Sequence, residues 1–185
     1  MSRGKMFVIS GASGVGKGTV LARIMARRDD LTFSVSATTR PPRPGEVDGR
    51  EYYFLDRARF EEMIRCGEFL EYDEHAANYY GTPRRQAEEK MERGHVLLDI
   101  EPNGAAAVKR SAPEATLIFI MPPSREELER RLRSRGDTSE EQIVIRMGRA
   151  DWEMEQGAKY DYVVINDQVE ACADQILKII ADQAE

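Results

Sequence analysis

A glycine-rich run at residues 11–19 directly follows the apolar stretch of residues 6–9. Glycines let the backbone curve around an anion without side-chain clash, so successive N–H groups point at phosphate oxygens and a following helix adds its positive end. Lys17 adds a mobile full positive charge. The run predicts a loop that binds nucleotide phosphates, made of Gly11, Ala12, Ser13, Gly14, Val15, Gly16, Lys17, Gly18 and Thr19.

The run follows the phosphate-binding pattern G-x-x-x-x-G-K-[ST] except at its last position. There, where a Ser or Thr hydroxyl would reach a bound Mg²⁺, the chain has Gly18, and the hydroxyl moves to Thr19, about 100° further around the helix. The alternative is a glycine-rich turn that joins a strand to a helix without binding phosphate. The lysine, the apolar stretch before the run and the helical spacing of residues 20–26 favour phosphate binding.

Two arginines on a proline-rich loop form a second candidate anion site. Arg40 and Arg43 lie among the three prolines of residues 39–46, which restrict the backbone. Together with Ser36 they can surround a second phosphate through charge-assisted hydrogen bonds. The alternative is a pair of solvated surface arginines. Tyr52 and Tyr80 either donate hydroxyls to the same anion or pack as strand aromatics.

A third basic group indicates a closing lid. Arg131 and Arg135 are four residues apart on one helical face, and Arg146 lies beyond a break at Gly136. Phosphoryl transfer is catalysed by positioning and by cations that stabilise the charge spread over the transferred group. Arginines beside a hinge can supply such cations when the lid closes. We expect the other arginines of this region to be ordinary exposed charges: Arg125, Arg130, Arg133 and Arg149.

Two carboxylates end an apolar strand at residues 96–100. Asp99 and Glu101 lie where parallel strands face a ligand crevice. Asp99 either holds a Mg²⁺-bound water, orients Lys17, or forms a salt bridge without a catalytic role. The histidines, His75 and His95, lack a nucleophile partner, and we assign them no chemistry.

These side chains need a scaffold, and the pattern of the chain predicts an α/β fold. Apolar runs recur at residues 6–9, 96–100, 117–121 and 162–165, each followed by a helical stretch, which is typical of a parallel sheet flanked by helices. Capping boxes predict helix starts at Ser124 and at Thr138 with Ser139. Residues 34–82 break the alternation and contain short β-like pieces with one helix near residues 60–65, so they predict an inserted lobe.

Length and composition restrict the remaining possibilities. At 185 residues the chain suits one domain, and its net charge of −6 argues against bulk attraction to nucleic acid or an anionic membrane. Only Cys66 and Cys172 occur, so we expect neither a disulfide framework nor a protein metal site. The chain shows no secretory signal and no membrane span, which favours the cytoplasm, and nothing in it indicates an obligate protein partner.

Taken in order along the chain, several motifs resemble guanylate kinase of the bacterial type. The motifs are residues 10–19, 34–46, 49–52, 78–82, 97–101, 122–124, 131–136 and 164–167. The resemblance implies conversion of ATP and GMP to ADP and GDP, with dGMP as a further substrate and Mg²⁺ carried by ATP. It also implies a P-loop NTPase core (1–33, 83–123 and 157–185), a mostly β GMP-binding lobe (34–82) and a helical lid (124–156) within the single domain 1–185.

The resemblance also implies a role for each matching residue. The GMP phosphate ligands are Arg40, Arg43, Tyr52 and Tyr80. Guanine is contacted by Ser36, Glu71, Thr82 and Glu101, and Asp99 joins this GMP-binding set. Asn166 and Asp167 form the turn beside adenine and complete the ATP-binding set begun by the glycine-rich run. The catalytic residues are Lys17, Arg40, Asp99 and the lid arginines Arg131, Arg135 and Arg146.

Chemistry supports the guanine assignment. A carboxylate at Glu71 can accept both the N1–H and the exocyclic amine of guanine, whereas adenine would face it with a ring-nitrogen acceptor. Three departures from the family pattern are visible: Ala12, Gly18 and Asn103 replace the commoner Pro, Ser and Gln.

Two other functions share this fold. One is an inactive guanylate-kinase-like module that binds peptides, although such modules usually lack an intact phosphate loop. The other is a kinase of ribose bisphosphates, against which Glu71, Thr82 and the tyrosines argue.

Overall fold

The computed structural model describes residues 3–75, 77–134 and 139–184. The strands are β1 (Met6–Gly11), β2 (Leu31–Phe33), β3 (Ala37–Thr38), β4 (Tyr53–Phe54), β5 (Phe69–His75), β6 (Asn78–Pro83), β7 (His95–Asp99), β8 (Thr116–Met121) and β9 (Tyr162–Ile165). The helices are α1 (Lys17–Met25), α2 (Arg57–Arg65), α3 (Arg84–Met91), α4 (Pro102–Ser111), α5 (Arg125–Ser134), α6 (Glu140–Gln156) and α7 (Val169–Ala184), and a 3₁₀ turn (Gly157–Lys159) precedes β9.

Five strands form a parallel sheet in the order β2-β7-β1-β8-β9. Side chains of the central strand β1 alternate between two core layers, with Phe7 and Ile9 in one and Met6 and Val8 in the other. Because both faces are covered, both faces must be apolar, which explains the near-continuous apolar runs of the sequence. The predicted α/β class with a parallel sheet is confirmed.

The remaining four strands form a second, mixed sheet in the order β4-β3-β6-β5. Its core is separate and small: Phe60 of α2 stacks on Phe69 of β5 and on Tyr79 of β6, with ring centroids 4.4 and 5.2 Å apart. Ala37 and Met63 complete the buried cluster. All these residues lie in the stretch that the sequence analysis expected to be a mostly β insertion.

Helix starts follow the expected capping chemistry. The Ser124 hydroxyl accepts the Glu127 N–H at 3.1 Å, as its capping box predicts. Ser139 caps α6 by accepting the Gln142 N–H at 3.4 Å, whereas Thr138 lies outside the described residues. Asp56 caps α2 in the same way at 2.8 Å. These caps satisfy N–H groups that a helix leaves unpaired.

Two features of the main sheet differ from the sequence expectations. The short edge strand β2 was not predicted, because three residues are too few to show a period. The strand expected at 96–100 runs one residue earlier, His95–Asp99, so Asp99 is its last residue. Of the helices in the described ranges, none is long and apolar enough to cross a membrane.

Candidate nucleotide site

The predicted phosphate-binding loop connects β1 to α1. Gly14 and Gly16 have φ angles of 89° and 92°, a region that other residues rarely adopt. Gly16 caps α1 without a side-chain hydrogen bond, which leaves the N–H groups of Lys17 and Gly18 for a ligand, whereas the Thr19 N–H donates to the Gly16 carbonyl at 3.1 Å. The loop lines a cavity of about 360 Å³, here called the loop cavity.

Helix α5 packs directly against this loop. A Cβ on Gly14 would lie 2.5 Å from Cδ2 of Leu132 and 3.5 Å from Cδ1 of Leu128. Both leucines belong to the main core. Glycine at this position therefore serves the backbone conformation and the close packing at once.

A buried carboxylate of α6 contacts the same loop. Glu153 is 2% exposed, and its Oε2 accepts the Ser13 N–H at 2.7 Å. Its Oε1 accepts Nε of Arg149 at 2.9 Å. One N–H of the loop therefore already binds an anionic oxygen, which is the type of partner that a phosphate supplies.

Lys17 reaches across the edge of the sheet to Asp99. Asp99 ends β7, the neighbour of β1, and accepts a hydrogen bond from the Lys17 ammonium. Burial lowers the pKa of Lys17, and the charges of Glu101 and Glu153 oppose this shift. Of the roles that the sequence left open for Asp99, contact with Lys17 is therefore present in the structure.

A second cavity, of about 320 Å³, opens between the two sheets and is here called the β5 cavity. Six residues of the expected GMP-binding set line it: Ser36, Tyr52, Glu71, Tyr80, Asp99 and Glu101. Asp73 and His75 follow Glu71 along the same face of β5 and also line the cavity, as does Gly104 of α4. His75, for which the sequence predicts no chemistry, and Asp73, which no motif marks, therefore both lie at this cavity.

Glu71 is the most buried acid of this cavity. It is 8% exposed, and its Oε1 accepts the Thr82 hydroxyl at 2.6 Å, which places Thr82 behind it. Burial raises the pKa of Glu71, and the hydrogen bond from Thr82 opposes the shift. Gly104 lies so close that a Cβ there would be 2.9 Å from Oε2 of Glu71.

The two arginines of the proline-rich loop differ in their surroundings. Glu46 accepts hydrogen bonds from both terminal nitrogens of Arg40, at 2.9 and 3.0 Å. The Arg40 guanidinium lies 5.5 Å from the ring centre of Tyr52. Tyr52 and Tyr80 meet edge to face, with centroids 6.0 Å apart. Arg43 is exposed, outside the β5 cavity, and only its backbone N–H is bound by Glu46.

At the far side of the loop, Asn166 and Arg131 join three segments. Asn166 is 2% exposed and donates its amide Nδ2 to the Val15 carbonyl at 2.8 Å. Arg131 donates to the carbonyls of Asn166 at 2.9 Å and Asp167 at 3.3 Å. Its Nε donates to Glu127 at 2.8 Å. Arg131 therefore ties α5 to the turn after β9 rather than pointing into either cavity.

The remaining arginines that the sequence assigns to a lid are placed as follows. Arg146 is exposed and lines neither cavity, and Arg135, like the break at Gly136, lies outside the described residues. Arg149 is exposed, as expected, but it pairs with Glu101 and Glu153 and lines both cavities. Asn103 is exposed beside a different cavity.

Three residues are shared by the two cavities: Lys17, Glu101 and Arg149. Only the first two were expected at the site. No local signal marks Arg149 or Glu153, because their partners Glu101 and Ser13 are 48 and 140 residues away along the chain. The helical spacing of Arg149 and Glu153 was visible, but it is equally typical of an exposed ion pair.

Comparison with known proteins agrees with this geometry. The guanylate kinase family model matches residues 3–183. A guanylate kinase of Thermus thermophilus is 52% identical over 179 residues, which is 96% of this chain and 81% of that protein. A guanylate kinase of a Nostoc species is 51% identical over 174 residues, or 94% of this chain and 87% of that protein.

The fold agrees as well. The crystal structure of guanylate kinase from Anaplasma phagocytophilum superposes with a TM-score of 0.76 at 34% identity, covering 99% of this chain and 87% of that chain. A glycine-rich phosphate loop, a lysine at its end and a carboxylate-lined cavity beside it accompany this match. Sequence, fold and site together show that the chain belongs to the guanylate kinase family.

Proposed function

We propose that this member of the family transfers the γ-phosphoryl group of ATP to GMP, giving ADP and GDP, with the loop cavity as donor site and the β5 cavity as acceptor site. One observation carries the assignment. A phosphate-binding loop and a cavity with a buried carboxylate meet at a common junction formed by Lys17 and its neighbours. A kinase needs this arrangement, because the transferred group must be held between two oxygens in line.

The acceptor base is read by Glu71. As a carboxylate it accepts N1–H and the exocyclic amine of guanine, and Thr82 holds it in place from behind. Adenine presents a ring-nitrogen acceptor at the same position, which leaves acceptors opposed in a buried site at a cost of about 1–3 kcal/mol for each unsatisfied group. Ser36 and Glu101 line the same cavity and complete the base contacts.

The acceptor phosphate is bound by the tyrosines and the proline-rich loop. Tyr52 and Tyr80 line the cavity and present phenolic hydroxyls, and Arg40 is held beside them by Glu46. Arg43 contacts the phosphate only after this loop moves toward the cavity, because its side chain is exposed in the present conformation. The proposed GMP-binding lobe (34–82) therefore closes over its substrate.

The donor nucleotide is bound by loop N–H groups and Lys17. Lys17 exchanges Asp99 for phosphate oxygens when ATP binds, and Asp99 remains next to the junction to position the ammonium. Asn166 and Asp167 form the turn beside adenine, held to the loop through Val15 and Arg131. The lid (124–156) carries Arg135 and Arg146, which approach the phosphates when it closes.

The transfer needs no general base. The attacking oxygen of GMP is already an anionic phosphate oxygen, so catalysis consists of alignment and stabilisation of charge on the transferred group. Lys17 and the arginines supply positive charge, and lobe closure excludes water. The residues of the core (1–33, 83–123 and 157–185) hold the donor fixed during this movement.

The loop cavity fits a Mg²⁺ ion that arrives with ATP. Within the described residues, no group of three or more His, Cys, Asp or Glu side chains could hold a metal ion by itself. The loop offers the hydroxyl of Thr19, whereas Gly18 has no side chain to contribute. This donor set suits Mg²⁺, which keeps several waters and takes few protein ligands beside phosphates. When bound, the ion neutralises charge on the phosphates.

Substrate comparison tests the reaction. ADP release is measured with ATP and, in turn, GMP, dGMP, AMP and UMP as acceptors. We expect the highest kcat/KM with GMP, a lower value with dGMP, and turnover of AMP and UMP near background. A preference for AMP over GMP would exclude the proposed function.

Lys17→Ala tests the donor site. We expect kcat to fall by at least about 10²-fold, because a cation at the transferred group is lost, while circular dichroism shows an unchanged fold. Lys178→Ala is the matched control, since Lys178 is an exposed lysine paired with Asp182 on α7. Near-normal turnover in folded Lys17→Ala would contradict the role of Lys17.

A further inference from the structure

Arg149 occupies the junction between the two cavities. It lies on α6, one helical turn after Arg146, and its side chain lines both the loop cavity and the β5 cavity. Lys17 is the other cation among the described residues that lines both. A group transferred from one cavity to the other therefore crosses a junction that both cations line.

The Arg149 guanidinium is held at two points by carboxylates. Its Nε donates to the buried Glu153, which is itself fixed by the Ser13 N–H. Its Nη2 donates to Glu101, whose side chain is 63% exposed. The inner bond anchors the guanidinium beside the phosphate loop, whereas the outer bond is to a solvated partner.

This arrangement leaves donors for a phosphate. Within the described part of the chain, Nη1 of Arg149 makes no hydrogen bond, and Nη2 is released when Glu101 turns to another partner. A guanidinium presents two parallel N–H groups that match two phosphate oxygens. Without Arg149, Lys17 would be the one cation of the described residues that lines both cavities, and it would face the charges of both Glu101 and Glu153.

We propose that Arg149 is a catalytic residue that contacts the transferred phosphoryl group, with Glu153 anchoring its Nε and Glu101 holding its Nη2 until the acceptor binds. The inference rests on the proposed function and deepens it. Because Glu101 also lines the acceptor cavity, binding of the acceptor base to Glu101 frees Arg149 for phosphate. Recognition of the acceptor and completion of the catalytic site are therefore coupled through one carboxylate.

Arg149→Met tests this assignment, because methionine keeps an apolar stem and removes the charge. We expect kcat with ATP and GMP to fall about 10²-fold, the effect typical of removing one donor to a transition-state oxygen, with each KM changed less than about threefold. Arg149→Lys restores the charge without the planar fork, so we expect its kcat to lie between that of Arg149→Met and that of the wild type. Arg125→Met is the matched control: Arg125 pairs with Asp151 of α6 at 2.8 Å and lines neither cavity.

Ligand binding separates contact from structural support. The probe is adenosine and guanosine joined through five phosphates, which spans both cavities, and ADP serves as the ligand of the loop alone. By titration calorimetry, Arg149→Met weakens binding of the bridged probe at least about tenfold and binding of ADP less than about threefold. An equal loss for both ligands, or a kcat within about threefold of the wild type, overturns the proposal.

A folding control keeps the test decisive. Arg149→Met leaves the buried Glu153 carboxylate without its cation, so Arg149→Met/Glu153→Gln is compared with Glu153→Gln alone if the single variant unfolds. A kcat of the double variant about 10²-fold below that of Glu153→Gln supports the catalytic role of Arg149, and equal kcat values overturn the proposal. An inactive wild type with GMP would instead contradict the proposed function.

Discussion

The recognition role that we propose for Glu71 comes at the expense of stability, because this carboxylate is buried. Its carboxylate is buried, and Thr82 supplies its side-chain hydrogen bond. Because burial raises its pKa above the ordinary value of 4.5, the folded state holds a proton more tightly than the unfolded state. The stability contribution of Glu71 is therefore fully present at low pH and is lost as pH rises through the raised pKa.

We predict that Glu71→Gln stabilises the protein at pH 7 and weakens the acceptor site. The amide has no charge to desolvate, so the thermal unfolding midpoint rises at pH 7. This rise shrinks as pH falls through the raised pKa of Glu71 and is gone below the ordinary value of 4.5. The KM for GMP increases at least about tenfold, because a hydrogen bond to a charged group is lost and the amide NH₂ of glutamine faces the N–H donors of guanine. Calorimetric melting and initial rates measure the two effects.

Glu74→Gln is the control for this substitution. Glu74 lies on the same strand β5 but is exposed and paired with Arg57 at 3.3 Å. Such a surface pair is worth at most about 1 kcal/mol, so the melting midpoint and the KM for GMP remain near wild type. A lower midpoint for Glu71→Gln at pH 7 would show that desolvation does not dominate at Glu71.

At the scale of elements, helix α4 restricts where strand β5 can place the carboxylate of Glu71. Gly104 lies in the first turn of α4 and meets the end of the Glu71 side chain. A glycine costs a helix about 0.5–1 kcal/mol relative to alanine, so its presence needs a packing reason. The close contact with Glu71 is such a reason.

We predict that Gly104→Ala lowers kcat/KM for GMP about tenfold and changes ADP binding by less than about twofold. The added methyl group would lie 2.9 Å from Oε2 of Glu71, so it displaces that carboxylate and leaves the loop cavity unchanged. Steady-state kinetics and ADP titration measure these effects. Gly148→Ala is the matched control on α6, where a Cβ meets nothing within 4 Å. That variant gains about 0.5–1 kcal/mol of unfolding free energy with unchanged GMP kinetics. Equal GMP kinetics in both variants would contradict the role of Gly104.

At the scale of the whole molecule, the loop cavity and the β5 cavity depend on two separate cores. The loop cavity rests on the parallel sheet and its two apolar layers. The residues that the second sheet contributes to the β5 cavity are supported by a small cluster around Phe60. Small cores have little stability to spare, so this sheet is the part of the molecule most sensitive to a single core substitution.

Phe60→Leu is predicted to weaken GMP binding at least about tenfold and ADP binding less than about twofold, because it removes the ring that stacks on Phe69 and Tyr79 but leaves the main sheet intact. Titration calorimetry with GMP and with ADP measures the difference. Ile180→Val, in the main core, is the control and costs about 0.5–1.5 kcal/mol of unfolding free energy without this selectivity. Loss of both ligands in equal measure would show that the two cores are coupled.

Structural features that depend on residues close together in the sequence could be predicted from the sequence alone. The phosphate loop was predictable because glycine spacing, a lysine and an apolar strand are local signals. The apolar runs of the parallel sheet and the helix cap at Ser124 were predictable for the same reason. The roles of Glu71 and Thr82 came from resemblance to a family, and the structure adds their hydrogen bond and burial.

Contacts between distant residues could not be read in this way. Glu153 reaches the loop from 140 residues away, and Arg149 looks like any exposed helical arginine until α6 is packed beside both cavities. The sequence by itself determined the phosphate loop, the α/β class and the family, because these depend on local backbone preferences and motif spacing. Only the tertiary structure decided which charges share the junction, because a cavity forms where packing brings together side chains that the chain keeps far apart.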